Sequence, residues 1–192
     1  MPKIIGLTGP SGAGKSLLSK YMGRLGPRVI RADDIYGNLL AKNREMVQEI
    51  ATAFPNAFGD VGIDRSVLAK TVFDDPEKLR ILNCITHKYI IREIQLEIDR
   101  LSEGDVLVIE AIYLLESGIS TLCDLTVAMV APASERMQRV MTRDGVTKAQ
   151  AESRFKNQNT DDFYTRHCDI IIENTNSEVE LEKQAVKILE VI

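Results

Sequence analysis

The feature that most constrains the fold is a glycine-rich octapeptide close to the start of the chain. Residues 9–16 are Gly-Pro-Ser-Gly-Ala-Gly-Lys-Ser and match the pattern G-x-x-x-x-G-K-[ST]. A short apolar run, Lys3–Thr8, precedes the motif, and a helical pattern follows it from residue 15 to about residue 25. Such a loop binds phosphate, because its glycines let backbone N–H groups converge on phosphate oxygens at a helix N-terminus. The alternative is a glycine-rich turn with a surface lysine, which the flanking strand and helix patterns disfavour.

The motif also predicts what its own side chains do. We expect Lys15 to reach the β- and γ-phosphates of a nucleoside triphosphate, and the Ser16 hydroxyl to ligate Mg²⁺. The other predicted nucleotide-binding residues of the loop surround the phosphates with backbone groups: Gly9, Pro10, Ser11, Gly12, Ala13 and Gly14.

Four further short segments predict strands, at residues 28–31, 106–109, 125–130 and 170–172. Because these segments alternate with helical patterns, the fold class is α/β, a phosphate-loop core with a parallel five-stranded sheet flanked by helices. The closing helix begins with a predicted capping box, Ser177-x-x-Glu180, and continues with an apolar stripe at helical spacing.

Two segments interrupt the alternation. Residues 34–101 and 132–166 are mostly helical in pattern, and the second contains another capping box, Thr147-x-x-Gln150. We interpret the first as an inserted helical subdomain and the second as a mobile helical lid. The predicted single domain thus has a core of about residues 1–36, 103–131 and 167–192, an insertion of about 37–102 and a lid of about 132–166.

The amino-acid composition limits the kinds of molecule that this protein is expected to bind. Of 192 residues, 44% are hydrophobic and 27% are charged, which is typical of a soluble globular protein. The net charge of −4 argues against a nucleic-acid partner, and no apolar stretch is long enough to span a membrane. Three dispersed cysteines, without a CxxC pair, fit a reducing compartment. With no signal-peptide pattern at the N-terminus, we expect a cytoplasmic protein, a monomer or weak homo-oligomer that acts on small molecules.

Two other classes of nucleotide-binding protein are disfavoured by the motifs present. A GTPase needs a guanine-recognising N/T-K-x-D segment and a transporter ATPase an LSGGQ-like segment, and the sequence contains neither. Asp34-Ile35-Tyr36-Gly37 satisfies D-x-x-G by letters, but we place it in a strand-to-helix turn, without companion motifs.

A carboxylate pair, Asp33 and Asp34, follows the second predicted strand. The carboxyl ends of parallel strands are where ligands bind in such sheets. A carboxylate there is suited to accept the proton of an acceptor hydroxyl while the γ-phosphoryl group moves. The alternative for Asp34 is an N-cap of the next helix.

An arginine set marks the predicted lid. Arg136, Arg139 and Arg143 have the spacing i, i+3, i+7 and share one helix face. A lid carrying that face would neutralise charge on a triphosphate and exclude water. The alternative is a solvated basic face paired with nearby Glu135 and Asp144.

Glu110, at the end of the third strand, has two interpretations of equal weight. One is organisation of Mg²⁺ through Ser16 or water, and the other is capping of the following turn. Tyr36 and Tyr113 could stack on a base, although ordinary packing is the simpler interpretation.

Segments along almost the whole chain share their order and spacing with one known family. They are Ile5-Gly-Leu-Thr-Gly9 with the phosphate loop, Val29-Ile-Arg-Ala-Asp33, Asp64-Arg65-x-x-Leu68, Val72-Phe73, Leu82-Asn83-x-x-x-His87, Leu114-Leu-Glu-Ser-Gly118, Arg139-x-x-x-Arg143-Asp144, Arg154-x-x-x-Gln158 and Cys168-Asp169-x-x-Ile172-x-Asn174. Together these segments resemble the dephospho-coenzyme A kinase family.

The resemblance implies ATP-dependent, Mg²⁺-dependent phosphoryl transfer to the ribose 3′-hydroxyl of dephospho-coenzyme A, the last step of coenzyme A biosynthesis. It implies that Asp33 is the general base and that Arg139 stabilises the transferring charge, with Arg143 as a weaker candidate. Arg65 and His87 would bind the acceptor in the helical insertion, although His87 fits a helix-packing role equally well. Two alternatives stay open: a kinase for another small nucleotide-like or hydroxylated acceptor, and a nucleotide-binding regulatory protein without turnover.

Several residues depart from the family pattern, mostly on the acceptor side and in the lid: Pro10, Arg31, Lys88, Ile112, Arg136 and Tyr164. Arg31 stands where the family often has Asp. If the second strand continued, its alternation would place Arg31 and Asp33 on the same side, where a cation would favour ionised Asp33 or bind an acceptor phosphate.

Overall fold

The computed structural model describes residues 1–59, 62–73, 75–174 and 177–192. Its strands are β1 (Lys3–Thr8), β2 (Arg28–Arg31), β3 (Phe58–Gly59), β4 (Gly62–Ile63), β5 (Val106–Glu110), β6 (Leu125–Val130) and β7 (Ile170–Glu173). Its α-helices are α1 (Lys15–Arg24), α2 (Ala32–Lys42), α3 (Arg44–Ala53), α4 (Arg65–Phe73), α5 (Pro76–Ile98), α6 (Ala133–Asp144), α7 (Lys148–Lys156), α8 (Asp161–His167) and α9 (Glu178–Glu190). Short 3₁₀ turns lie at Pro55–Ala57 and Ile119–Leu122.

Five strands form one parallel sheet in the order β2-β5-β1-β6-β7. The central strands β1, β5 and β6 are near-continuous apolar runs, as strands covered on both faces require. All five predicted strands are confirmed, and β5 and β7 each extend one residue beyond the prediction. The predicted α/β class with a five-stranded parallel sheet is therefore confirmed.

The chain divides into two compact units, and the first comprises Met1–Arg31 and Arg100–Ile192. Its core lies between the sheet and the packed pair α1 and α9. Residues without exposed surface, such as Leu18, Met22 and Val127, form that core, and burying each contributes roughly 1.5–3 kcal/mol. The Ser177 side chain caps α9 by accepting from the Glu180 backbone N–H.

The predicted lid is helical, as expected, and comprises α6, α7 and α8 within the first unit. The predicted capping box at the start of α7 is confirmed, since both of its reciprocal hydrogen bonds are present. The Thr147 hydroxyl accepts from the Gln150 backbone N–H at 3.3 Å, and the Gln150 side-chain oxygen accepts from the Thr147 N–H at 2.9 Å. Gly145, with φ of 63°, ends α6 in the left-handed conformation that favours glycine.

The second unit comprises Ala32–Asp99 and contains α2 to α5 with the small antiparallel pair β3 and β4. The long helix α5 packs against the other three helices. Its start is fixed by Asp75, which accepts from two backbone N–H groups, and by Pro76 in the first turn.

The start of α2 corrects two predictions. The helix begins at Ala32, directly after β2, so Asp33 and Asp34 lie inside its first turn. Asp34 is therefore not an N-cap, and the D-x-x-G letters that end at Gly37 lie in a helix rather than in a turn. Carboxylates in a first turn are favoured there by the partial positive charge of the helix N-terminus.

No helix in the described parts of the chain is long and apolar enough to cross a membrane.

Candidate active site

The phosphate loop predicted from the motif connects β1 to α1. Gly9 has φ of 128°, and a Cβ at this position would collide with the backbone carbonyl of Met129 in β6. A side chain is therefore excluded by both backbone conformation and space. The motif needs glycine here because the loop passes directly against the neighbouring strand.

Lys15 folds back over this loop. Its ammonium group donates to the Gly9 carbonyl at 2.8 Å and to the Pro10 carbonyl at 3.1 Å, and the residue is buried. A buried ammonium must be hydrogen-bonded to offset the loss of water. The lysine is thus held beside the backbone groups that the motif assigns to phosphate.

Glu110 joins the loop to β5. One of its carboxylate oxygens accepts from Ser16 Oγ at 2.6 Å, and the other accepts from Ser19 Oγ at 2.7 Å. The side chain of Glu110 is only 7% exposed. Both oxygens therefore bind hydroxyls of α1, and the interpretation of Glu110 as a cap for the following turn is wrong.

Arg31 reaches the same pair from the end of β2. Its Nε lies 3.5 Å from Glu110 Oε2, and its Nη2 donates to Ser16 Oγ at 3.3 Å. The expected alternation of Arg31 and Asp33 along one strand required β2 to continue, but the strand ends at Arg31 and a helix begins at Ala32. Through its contacts with Glu110 and Ser16, Arg31 lies beside the phosphate loop within the first unit.

The segment predicted to be a lid contacts the phosphate loop through α6. Arg139 Nη1 donates to the Gly12 carbonyl at 2.9 Å, while Nη2 is paired with Glu135 at 2.7 Å. A Cβ on Gly12 would lie 2.5 Å from the Arg136 carbonyl oxygen. The absence of a side chain at Gly12 is what lets the backbone of α6 approach this closely.

The three lid arginines do not form one cluster. Arg136 donates to the Ala131 carbonyl at 2.9 Å and lies over the Phe155 ring. Arg143 pairs with Asp144 at 2.7 Å, and the same carboxylate also accepts from Arg154. These two arginines hold the pKa of Asp144 below its usual range. The predicted alternative, pairing with Glu135 and Asp144, is thus present for Arg139 and Arg143, but Arg139 also contacts the loop.

Three residues at or beside the loop make contacts for which the sequence predicted no role. Gln158, between α7 and α8, accepts from the Ser11 backbone N–H at 2.8 Å and donates to Ser11 Oγ at 2.7 Å. Asn174 donates to the Ala13 carbonyl at 2.7 Å. Ser19 was also missed, although its position three residues after Ser16 on one helix face was a usable signal.

The predicted base and the predicted acceptor-binding residues lie in the second unit. Asp33 is exposed in the first turn of α2, and Arg65 donates to the Gly37 carbonyl at 3.2 Å. His87 is half-buried in α5, and burial lowers the pKa of its imidazole.

Tyr36 is also half-buried, and burial raises the pKa of its phenol. Lys88 pairs with Glu49 at 2.6 Å on the surface.

Tyr164 and Tyr113 have packing roles in the first unit. Tyr164 has no exposed surface, and burial raises the pKa of its hydroxyl well above the ordinary value. Tyr113 donates a long hydrogen bond of 3.5 Å to the Asn157 carbonyl. Tyr164 is thus a fully buried residue of α8.

The residues around Ser16 fit a divalent cation. Mg²⁺ takes oxygen ligands, keeps several waters and is usually held by few protein groups together with substrate phosphates. Ser16 is exposed at the end of the loop and is oriented by the buried carboxylate of Glu110. An oriented hydroxyl beside a buried carboxylate matches this donor chemistry.

Comparison with known proteins gives a consistent result. The family model for dephospho-CoA kinase matches residues 3–180. A dephospho-CoA kinase of Aquifex aeolicus is 34% identical over 190 residues, covering 98% of this chain and 96% of the relative. A crystal structure from Thermus thermophilus has a TM-score of 0.85 and 30% identity, covering 99% of this chain and 97% of that chain. The dephospho-CoA kinase structure from Campylobacter jejuni has a TM-score of 0.70 and 27% identity, covering 99% and 96%.

Proposed function

The chain belongs to the dephospho-CoA kinase family, and on that premise we propose that it transfers the γ-phosphoryl group of ATP to the ribose 3′-hydroxyl of dephospho-CoA. The observation that carries the proposal is the contact of Arg139 with the Gly12 carbonyl. A binding loop alone needs no cation from a separate helix, whereas phosphoryl transfer must stabilise charge on the moving group.

The phosphate loop binds the triphosphate. Its backbone N–H groups and the start of α1 attract the phosphate oxygens, and Lys15 exchanges its two carbonyl acceptors, Gly9 and Pro10, for oxygens of the β- and γ-phosphates. Because those carbonyls already hold the ammonium beside the loop, little side-chain freedom is lost when nucleotide binds.

Ser16 and Glu110 would hold Mg²⁺, Ser16 directly and Glu110 through the hydroxyl that it orients. When bound, Mg²⁺ neutralises charge on the β- and γ-phosphates. Ser19 keeps the second oxygen of Glu110 occupied, which fixes the carboxylate in one orientation.

Asp33 is the proposed general base. It lies in the first turn of α2, two residues after the end of β2, and its carboxylate is exposed. It accepts the proton of the 3′-hydroxyl as that oxygen attacks the γ-phosphorus. Arg139 donates to the oxygens of the transferring group, and its helix keeps water from the loop, which favours the acceptor over hydrolysis.

Arg65 and His87 are the proposed acceptor-binding residues, supported by the family resemblance. The permanently charged guanidinium of Arg65 suits the diphosphate of dephospho-CoA. Because burial lowers the pKa of His87, the imidazole is neutral at pH 7 and offers a hydrogen bond rather than a charge.

The remaining organisation is also a proposal. The helical insertion of about residues 37–102 would bind the acceptor, and the segment of about 132–166 would act as the lid. We propose a cytoplasmic monomer or weak homo-oligomer without a nucleic-acid partner. Free thiols at all three cysteines support a reducing compartment, and the acidic net charge argues against nucleic acid.

The test is ADP release coupled to mass analysis of the product, with ATP, Mg²⁺ and dephospho-CoA. AMP, CMP, shikimate and a reaction without acceptor serve as controls. We expect turnover that depends on dephospho-CoA and yields coenzyme A. Turnover with another acceptor alone, or ATP binding without any transfer, would contradict the proposal.

A further inference from the structure

The guanidinium of Arg31 contacts both side chains that would hold a divalent cation, Ser16 and Glu110. Its Nη2 is 3.3 Å from Ser16 Oγ and its Nε is 3.5 Å from Glu110 Oε2. These two oxygens belong to the groups that fit Mg²⁺. A fixed positive charge of the protein therefore contacts the same two side chains that would hold the metal.

The hydrogen-bonding capacity of Ser16 makes this sharing competitive. A hydroxyl has one proton and two lone pairs. Ser16 gives its proton to Glu110 at 2.6 Å, and an N–H of Arg31 approaches a lone pair of the same oxygen. A cation bound to that oxygen would face the guanidinium at short range, and a guanidinium cannot lose its proton to relieve the repulsion.

The two partners of Ser16 differ in their freedom to move. The side chain of Glu110 is 7% exposed and bonded to two serines, whereas that of Arg31 is 43% exposed at the end of β2. A metal bound at Ser16 would therefore displace the more exposed Arg31 rather than Glu110. Without a metal, Arg31 stays beside the Ser16 hydroxyl, where it can supply positive charge to incoming phosphates.

We propose that Arg31 is a tethered counter-cation that shares the Ser16–Glu110 site with the divalent metal and makes nucleotide binding less dependent on that metal. This inference rests on the proposed function, since it assumes that the loop binds ATP. It assigns Arg31 to the metal side of the nucleotide rather than to the acceptor.

The test measures nucleotide affinity with and without metal. A non-hydrolysable ATP analogue is titrated calorimetrically into the full chain, once in excess EDTA and once in excess Mg²⁺. The dissociation constant in EDTA divided by that in Mg²⁺ measures how strongly nucleotide binding depends on the metal. In Arg31→Gln we expect this ratio to be about tenfold larger than in the wild type, as for loss of one charge-assisted contact.

Two further variants distinguish a specific effect of Arg31 from the general effect of removing one positive charge from the protein. Arg31→Lys keeps the charge and should keep the ratio within about threefold of the wild type. Arg28→Gln removes an arginine from the other end of β2 and should leave the ratio unchanged. Unchanged melting temperatures show that all variants are folded.

An unchanged ratio in Arg31→Gln would overturn the proposal. Equal effects of Arg31→Lys and Arg31→Gln would also overturn it, because the charge of residue 31 would then not be the cause. Equal effects of Arg28→Gln and Arg31→Gln would overturn it as well, because the location of the charge would then not matter. If the wild type binds the analogue under neither condition, the proposed function fails as well. If the wild type binds the analogue but Arg31→Gln does not change the ratio, only the inference about Arg31 fails and the proposed function stands.

Discussion

Ser16 Oγ donates a 2.6 Å hydrogen bond to Glu110 Oε1, which ties the last residue of the phosphate loop to the carboxyl end of β5. Ser19, one helical turn later, donates to the second oxygen at 2.7 Å. A carboxylate with so little exposed surface is stable only when its oxygens are hydrogen-bonded. The loop and the sheet therefore share a polar contact that orients the serine predicted to ligate Mg²⁺.

Glu110→Gln tests this contact. The amide has only one acceptor oxygen for two serine donors, so we expect the Mg²⁺ concentration for half-maximal turnover to rise about tenfold, with a loss of stability of about 1–3 kcal/mol. Turnover against Mg²⁺ concentration and chemical denaturation measure the two effects. Glu103→Gln, at an exposed residue before β5, is the control. An unchanged Mg²⁺ requirement would show that the carboxylate does not orient Ser16.

Lys15→Ala removes the ammonium beside the phosphate loop. Because that group donates to the Gly9 and Pro10 carbonyls and is expected to bind phosphate, ATP affinity should fall about 10–100-fold in calorimetric titration. Lys20→Ala removes an exposed lysine from the same helix and serves as the matched control. Equal affinity in Lys15→Ala and the wild type would remove Lys15 from nucleotide binding.

Asp33→Asn removes the proposed base while keeping its shape. We expect turnover to fall about 10²–10⁴-fold with nucleotide affinity nearly unchanged, because the carboxylate acts on the acceptor hydroxyl. Asp34→Asn changes the neighbouring carboxylate in the same helical turn and should retain most activity. The measurement is steady-state ADP release with dephospho-CoA. Near-normal turnover in Asp33→Asn, or equal losses in both variants, would refute the assignment of the base.

The sheet and the phosphate loop could be predicted because each follows from adjacent residues. A buried parallel strand appears as an apolar run, and the loop appears as a fixed spacing of glycines before Lys15. The helical character of residues 132–166 was predicted for the same local reason, as the capping box at Thr147 illustrates. Local patterns thus accounted for most of the first unit.

The polar contacts around the loop could not be predicted because they join distant parts of the chain. Glu110 meets Ser16 across 94 residues, and Gln158 meets Ser11 across 147. The position of Arg31 depended on where β2 ends, and strand alternation cannot show that the next residue begins a helix. Such pairings follow from the tertiary arrangement of strands and helices, which no single motif encodes.

Arg139→Ala should be more damaging than Arg143→Ala. Arg139 donates to the Gly12 carbonyl, whereas Arg143 pairs with Asp144 outside the loop. Loss of a cation at a transferring phosphoryl group costs about 10²–10³-fold in turnover, so we expect that loss for Arg139→Ala and less than about tenfold for Arg143→Ala. Single-turnover rates with saturating ATP measure both variants. The reverse order, or equal small effects, would contradict the role given to Arg139.

His87 should contribute to the pH dependence of stability. Burial lowers the pKa of its imidazole in the folded state, so the unfolded chain, with a histidine pKa of about 6.5, takes up the proton first as the pH falls. The folded state is therefore disfavoured progressively below about pH 6.5, and the penalty is complete below the folded pKa. His87→Gln lacks this penalty, so its free energy of unfolding should fall less than that of the wild type between pH 7.5 and pH 5, as urea denaturation at each pH would measure. Parallel stability profiles for the two proteins would show that folding does not depress the pKa of this histidine.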